Sequence, residues 1–415
     1  MQQSIKSRIK VVWLCPYPVD KLLPDSAFVR ERKYHPAPWI VNTINALKDE
    51  NEIDLHVVTL NAHIKRNTII NSEGVTYHII KRGIKILGIG YPNRFRLDLF
   101  TFFYKESNDL KKVLNRLKPD LVHSFGSEVP YGIVSVRSKY RYIFSLQGIM
   151  IKMSELYPTN LNYKLMGYME RNIIKRCSYF MSQSTTVSKH ILNLNPKAKI
   201  FNTFYPVDDC FFAVSPNQEK DFDLVFVGNI SDKNKGFHVL LNSFATLISS
   251  GIKLRMAVIG SESKQYEKLD KRQTSFNDVN KSIAFLGYLS HKEIADIYSK
   301  STILVIPSLM ESYSMTAAEG LASSICVIAS YTGGLKDLIE HNENGLSFNP
   351  GDSDALAVKL GQLLNDKHLQ FDIAMKARIY AIEKFSKTRI VQNHLIAYRV
   401  AIEKKSKPDL NKVVI

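Results

Sequence analysis

The sequence predicts an α/β protein of two domains, and three observations carry that prediction. The 415 residues exceed what one hydrophobic core usually serves. From Ile9 onward, short β-branched runs alternate with amphipathic stretches, the pattern of βαβ units that lay their strands parallel. A polar, proline-bearing segment at 213–223 interrupts that rhythm, which then restarts. With 45% hydrophobic and 23% charged residues, both halves carry enough apolar surface to fold.

In the first domain, 1–213, strands are expected at Ile9 to Leu14, Leu55 to Thr59, Leu121 to Ser124 and Tyr142 to Leu146. Apolar residues three and four apart make helices of Ile40 to Lys48 and Leu110 to Leu117. In the second domain, 214–415, the strands are Leu224 to Val227, Arg255 to Ile259, Ile283 to Leu286, Ile303 to Ile306 and Val327 to Ser330. Asp372 to Lys404 is long and largely helical, suited to cross back onto the first domain. The apolar run Val11 to Cys15 is too short for a signal peptide's core, and no stretch reaches the ~18 to 20 apolar residues that span a bilayer. Cys15, Cys177, Cys210 and Cys326 are scattered, without paired zinc-ligand spacing, which suits a reducing compartment. A cytoplasmic protein is the expectation.

The net charge of +17 is uneven: residues 1–210 hold 31 Lys and Arg against 17 Asp and Glu, leaving only +3 for the rest. Anionic lipid, a pyrophosphate-linked acceptor or nucleic acid would each suit the basic half, and so would a plain lysine-rich solvated surface. Nucleic acid comes last, because no reading helix or base-stacking motif accompanies the charge. Phe95 to Tyr104, followed by Lys105, Lys111, Lys112, Arg116 and Lys118, reads either as a core helix or as one that lies in a membrane interface. Further basic clusters stand at Arg137 to Arg141 and Arg171 to Arg176. They place a peripheral membrane contact on the inner face of the cell membrane among the expectations.

The segment Ile303 to Glu319 concentrates the chemistry. It reads as a strand, a Pro-Ser turn and a helix opening near Ser314. Ligands of α/β sheets bind at such strand ends, and the backbone N–H groups of Ser314, Met315 and Thr316 would face an anion such as a pyrophosphate. A carboxylate beside a phosphate is repelled, but it can accept two hydroxyl hydrogen bonds at once. Glu311, before the helix, therefore suits a sugar, and Glu319, two turns in, a ribose. Solvent-facing acids at a helix end are the plain alternative. Lys235, after a strand that ends at Gly228, can neutralise charge on a leaving phosphate, although a lysine taken alone is more often an ordinary surface residue.

Two glutamates with seven residues between them resemble the hallmark of the retaining glycosyltransferases of family 4, which have the GT-B fold. Val-Phe-Val-Gly228, Lys235-Gly236, Ala284-Phe-Leu-Gly287, Ile306-Pro307-Ser308, Gly333-Gly334, Asn344-Gly345 and Pro350-Gly-Asp352 resemble the family in the same order. The resemblance implies two Rossmann-like domains facing each other across a cleft. It implies that Lys235 meets the donor diphosphate, Glu311 the donor sugar and Glu319 the ribose. It further implies a retaining transfer from a nucleoside-diphosphate sugar, UDP-linked, to a saccharide or polyprenyl-pyrophosphate-linked acceptor in capsule, O-antigen or exopolysaccharide synthesis, with no cofactor and no metal. This chain departs from the family at Asn229, where an arginine is usual. That leaves two other readings open: a sugar-nucleotide-binding partner subunit without turnover, and an epimerase or hydrolase on the same scaffold.

In the first domain Pro119-Asp120-Leu-Val-His123 resembles the family's Pro-Asp-x-x-His segment, which places His123 at a strand end on the acceptor side. As a residue alone, His123 is more often a packed, hydrogen-bonded core histidine than a functional one. Gln147-Gly148 stands where the family has His-Gly, and Gln147 can position a hydroxyl but cannot shuttle protons. The stiff, proline-rich loop through His35 and Trp39 is the remaining acceptor-side expectation, against the more frequent alternative that Trp39 is buried in the core.

Overall fold

The computed structural model describes residues 8–23, 37–83, 85–86, 89–90, 97–215, 219–261, 279 and 281–403. It divides into two compact units, Met1–Phe204 with Ile390–Ile415, and Tyr205–Arg389. The division therefore precedes the polar segment at 213–223, and the chain's last helix belongs to the first unit.

The first unit is built on strands β1 (Ile9–Leu14), β2 (Ile53–Asn61), β3 (Thr68–Ser72), β4 (Val75–Lys81), β5 (Leu121–Phe125), β6 (Tyr142–Ser145), β7 (Tyr179–Ser182) and β8 (Lys199–Asn202). They form an eight-stranded sheet in the order β8-β7-β6-β5-β1-β2-β4-β3. All neighbours are parallel except β3 and β4, a hairpin the sequence reading did not contain. Its two-residue turn places Glu73 at φ 49° and Gly74 at φ 78°, the left-handed pair that matches strand twist. Val11 to Leu14 are all fully buried, as a central parallel strand covered on both faces requires. Trp13 donates from its indole N–H to the Tyr398 hydroxyl at 2.9 Å, which ties the last helix into this core. Trp39 lies half-buried against the same core.

The second unit carries β9 (Phe222–Val227), β10 (Met256–Ile259), β11 (Ile283–Gly287), β12 (Ser301–Ile306), β13 (Cys326–Ser330) and β14 (Leu346–Phe348). These are all parallel, in the order β11-β10-β9-β12-β13-β14. From β9 the chain winds outward to β10 and β11, then returns to β12 on the other side. The strand order thus reverses between β9 and β12, and a crevice opens beyond the carboxyl ends of strands at such a switch point. The region 372–404, expected as one helical stretch, is two helices, Lys367–Phe385 and Lys387–Glu403. Ser386 between them is extended, with φ −63° and ψ 140°, and breaks the hydrogen-bond ladder.

Candidate active site of the second unit

Lys235 stands just beyond β9. A short turn, Lys233–Lys235, is capped by Asp232, whose carboxylate accepts the Asn234 N–H at 3.0 Å. Gly236 follows at φ 68° and opens the helix Phe237–Ser249. Its Cα lies so close to the turn after β12 that a Cβ would sit 1.9 Å from the Pro307 carbonyl oxygen. No side chain fits there. Across the same contact the Leu309 N–H donates to the Asn234 carbonyl at 2.8 Å, locking the loops after β9 and β12 together.

Glu311 is fixed from the other side. Gly333, at φ 49° in the loop after β13, leaves room for the Glu311 carbonyl oxygen where a Cβ would sit 1.6 Å away. The Gly334 N–H donates to that carbonyl at 2.9 Å. The Ser330 hydroxyl donates to the Ser308 carbonyl, completing the lock between the loops after β12 and β13. Held in this way, the Glu311 carboxylate meets the Lys235 ammonium at 2.9 Å. The lysine side chain is 39% exposed and the glutamate 14%, so both groups sit at the switch point and stay within reach of solvent.

Ser314 caps the helix Met315–Ala322, its hydroxyl accepting the Ala317 N–H at 3.2 Å. Met315 and Thr316 in the first turn are half-buried. Gly228 follows β9, with the stem of Lys235 alongside. Asn229 is exposed, and its side-chain oxygen accepts the Ser231 N–H at 2.9 Å in a local turn. That use fixes the loop and leaves the amide N–H₂ facing out.

Glu319 is buried, 5% exposed, and burial raises its carboxyl pKa; His291 opposes that rise and Asp208 adds to it. Its surroundings differ from those of Glu311. Asp208 accepts from His291 at 3.4 Å, and that bond holds the Asp208 carboxyl well below its ordinary range. The buried Tyr298 hydroxyl nearby has no hydrogen-bond partner among the described residues. The sequence reading missed Asp208 and His291. No strand or motif marks them, and only the folded chain brings their charges near Glu319.

The first-unit expectations fare differently. His123 is a core residue, 0% exposed. Its Nδ1 meets the Tyr398 hydroxyl and its Nε2 the Ser145 hydroxyl, each at 2.8 Å, and Trp13 and Phe125 pack on its ring. The expectation of an acceptor-side histidine is corrected: β5 is flanked by β1 and β6 and points His123 inward, where burial lowers its pKa well below the ordinary value. Gln147 and Gly148 follow β6 and are half-buried. His35 lies outside the described residues. What organises these strand ends is Glu170, unmarked in the sequence. Its fully buried carboxylate accepts from the Ser127 hydroxyl at 2.8 Å, the N–H groups of Met150 and Ile151 at 2.8 and 3.2 Å, and His190 at 3.1 Å.

Residues 208–381 match the family model described as glycosyl transferases group 1. The match lies within the second unit. An uncharacterized glycosyltransferase of Methanocaldococcus jannaschii is 25% identical over 55% of this chain. The capsular polysaccharide biosynthesis glycosyltransferase CapM of Staphylococcus aureus is 28% identical over 40% of it. The chain spans 57% and 43% of the lengths of these two curated relatives. A 41.2 kDa protein of the cps region of Klebsiella pneumoniae aligns over 87% of this chain and 96% of its own length at 22% identity. Among solved structures, sucrose-phosphate synthase of Thermosynechococcus elongatus superposes with TM-score 0.73 at 17% identity, covering 95% of this chain and 99% of its own. Anabaena HepE in complex with UDP does so with TM-score 0.67 at 14% identity, covering 94% and 100%. The two units thus have the two-Rossmann-domain GT-B fold class that the sequence predicted.

Proposed function

We propose that the protein is a retaining glycosyltransferase that moves a sugar from a nucleoside-diphosphate sugar, UDP-linked, to a saccharide or lipid-pyrophosphate-linked acceptor in surface-polysaccharide assembly. The Lys235–Glu311 pair at the switch point of the unit that matches the group 1 family model is the observation that carries the reading. Two of the curated relatives support its biological side, one named for capsular polysaccharide biosynthesis and one for its place in a cps region.

In this reading the donor's diphosphate takes over Lys235, and the freed Glu311 carboxylate accepts hydroxyls of the transferred sugar. The ammonium is 39% exposed, so solvent partly screens its pairing with the glutamate and it is available for this exchange. The N–H groups of Met315 and Thr316 add positive potential for the diphosphate. Glu319, together with Asp208 and His291, receives the ribose side. As the glycosidic C–O bond to the diphosphate breaks, Lys235 stabilises the departing phosphate oxygen. That oxygen takes the acceptor hydroxyl's proton while the acceptor oxygen bonds the anomeric carbon on the same face, so no protein nucleophile is required. Lys235 and the helix-start amides supply the charge neutralisation that other transferases draw from a metal. The site of action is the cytoplasm, with the basic first unit directed to the membrane.

Thermal denaturation with UDP, GDP, ADP and CMP tests the donor site, since a ligand that binds only the native state raises Tm. A selective rise with UDP that Glu319→Ala abolishes, together with sugar transfer that Glu311→Ala lowers by about 100-fold or more, is expected. Asn229 motivates the rival reading of a binding subunit: a UDP-dependent Tm rise with no transfer to any acceptor would support that rival. Wild-type turnover in Glu311→Ala removes the carrying observation.

A further inference from the structure

In the first unit, the short helix Leu97–Phe100 reverses into the helix Tyr104–Leu117 through Phe102 and Phe103, at φ 47° and 55°. Bulky aromatic residues seldom occupy that left-handed region, so tertiary contacts must hold them there. Phe103 is fully buried, which explains its half of the reversal. Phe102 instead lines a shallow, open depression floored by Ile133, Val136, Met169 and Ile173.

The rim of this depression is cationic. Arg137 and Arg176 line it, and among the described residues neither guanidinium has a carboxylate partner. The two are close enough that, after burial, Arg176 is what pulls the Arg137 pKa below its ordinary value, and Arg137 does the same to Lys111. Three like charges held together without a counter-ion are costly unless an anion joins them. The surrounding surface is aromatic: Tyr168 is 51% exposed with its ring against Phe102, and Phe100 and Tyr104 on the reversal are 46% and 67% exposed.

We infer that this depression is a docking site for an anionic membrane lipid, with the headgroup phosphate between Arg137 and Arg176 and the upper acyl chain against Phe102, Ile133 and Ile173. An apolar floor beside an uncompensated cationic rim is complementary to an amphiphilic anion, and tyrosine and phenylalanine at the edge suit the headgroup layer. Among the described residues no helix is long and apolar enough to cross a membrane, so contact of this kind would be peripheral.

Co-sedimentation of the full chain with phosphatidylcholine vesicles, with and without phosphatidylglycerol, tests the site and needs neither sugar donor nor acceptor. The result is therefore independent of the proposed transfer. Binding is expected only with phosphatidylglycerol, to weaken about tenfold in Arg137→Gln/Arg176→Gln, and to persist in Lys189→Gln/Lys197→Gln, which removes the same charge from exposed positions of the same unit. Tyr168→Ser should weaken it several-fold with unchanged Tm. Sedimentation that ignores phosphatidylglycerol, or equal losses in the two double variants, overturns the site and leaves only a diffuse basic surface. Suppression of vesicle binding by inorganic phosphate beyond that of sodium chloride at matched ionic strength would reassign the depression to a free anion.

Discussion

In the second unit, the loops after β9, β12 and β13 hold a lysine and a glutamate 2.9 Å apart with both side chains still reaching solvent. In the first unit, β5 carries a histidine with both ring nitrogens already bonded, and the loops after β5 and β6 are held by a fully buried glutamate. Both units share a parallel α/β design, yet one spends its polar groups on its own framework and the other presents them. The difference lies in what fixes the loops. The second unit fixes them through glycine-permitted backbone contacts, which leave the charged side chains unspent. The first unit fixes them with side chains, which are then consumed.

The sharpest way to break this comparison is to remove the backbone lock. Gly333→Ala forces a Cβ into the Glu311 carbonyl and should cost the second unit about 4 kcal/mol or more, a size reserved for strain and overpacking. Both tryptophans of the chain, Trp13 and Trp39, lie in the first unit, so its indole fluorescence should melt as in the wild type while circular dichroism reports the loss. A variant that keeps wild-type stability and transfer would show that the lock is dispensable.

Removing the first unit's equivalent should have the next largest effect. Glu170→Ala strands two backbone N–H groups, the Ser127 hydroxyl and His190, costing about 3 kcal/mol. The loss should appear in the tryptophan transition during urea denaturation. UDP binding by the second unit should be unchanged.

Acid sharpens the same contrast. Burial holds His78 and His394 at about 4, against an ordinary 6.5, and lowers His123 as well. The unfolded chain therefore binds more protons between pH 6.5 and 4. The stability these histidines contribute is complete above pH 6.5 and is lost as pH falls to about 4, by roughly 3 kcal/mol each for His78 and His394. Glu319 has the opposite sign: its folded pKa is raised, so its contribution is present at low pH and lost as pH rises through that value. The tryptophan signal of the first unit should thus report a loss of stability as pH falls from 6.5 to 4, and a signal unchanged over that range would contradict this. The smallest effect follows from the same charge. Glu319→Gln should stabilise the second unit by about 1 kcal/mol at neutral pH while weakening UDP binding, seen as a higher Tm in buffer and a smaller rise with nucleotide.

Much of the fold was legible because parallel strands buried on both faces read as apolar runs. Ile9 to Leu14 matches β1 residue for residue, and the second unit's five named strands lie within a residue or two of the observed ones. The hairpin of β3 and β4 escaped notice because Thr68 to Ser72 is an edge strand of mixed polarity. Glu311 left a local trace in a strand end, a turn and a helix start, whereas Lys235 and the glycines around both were legible together through the family resemblance. Glu170, Asp208 and His291 leave none, because an acid or a histidine on a helix or at a turn looks the same whether its partners are water or distant segments of the chain.

The sequence by itself determined that there are two α/β units, where most strands begin and end, and that Lys235 and Glu311 flank a strand-end crevice. Those features depend on periodicity and on residues close along the chain. Only the tertiary structure decided that His123 is buried, that Glu170 ties the loops after β5 and β6 to the helix that carries His190, and that Arg137 and Arg176 line one depression. Each of these depends on whether a side chain faces protein or water and on which remote group it meets, and strand crossovers, not local sequence, set both.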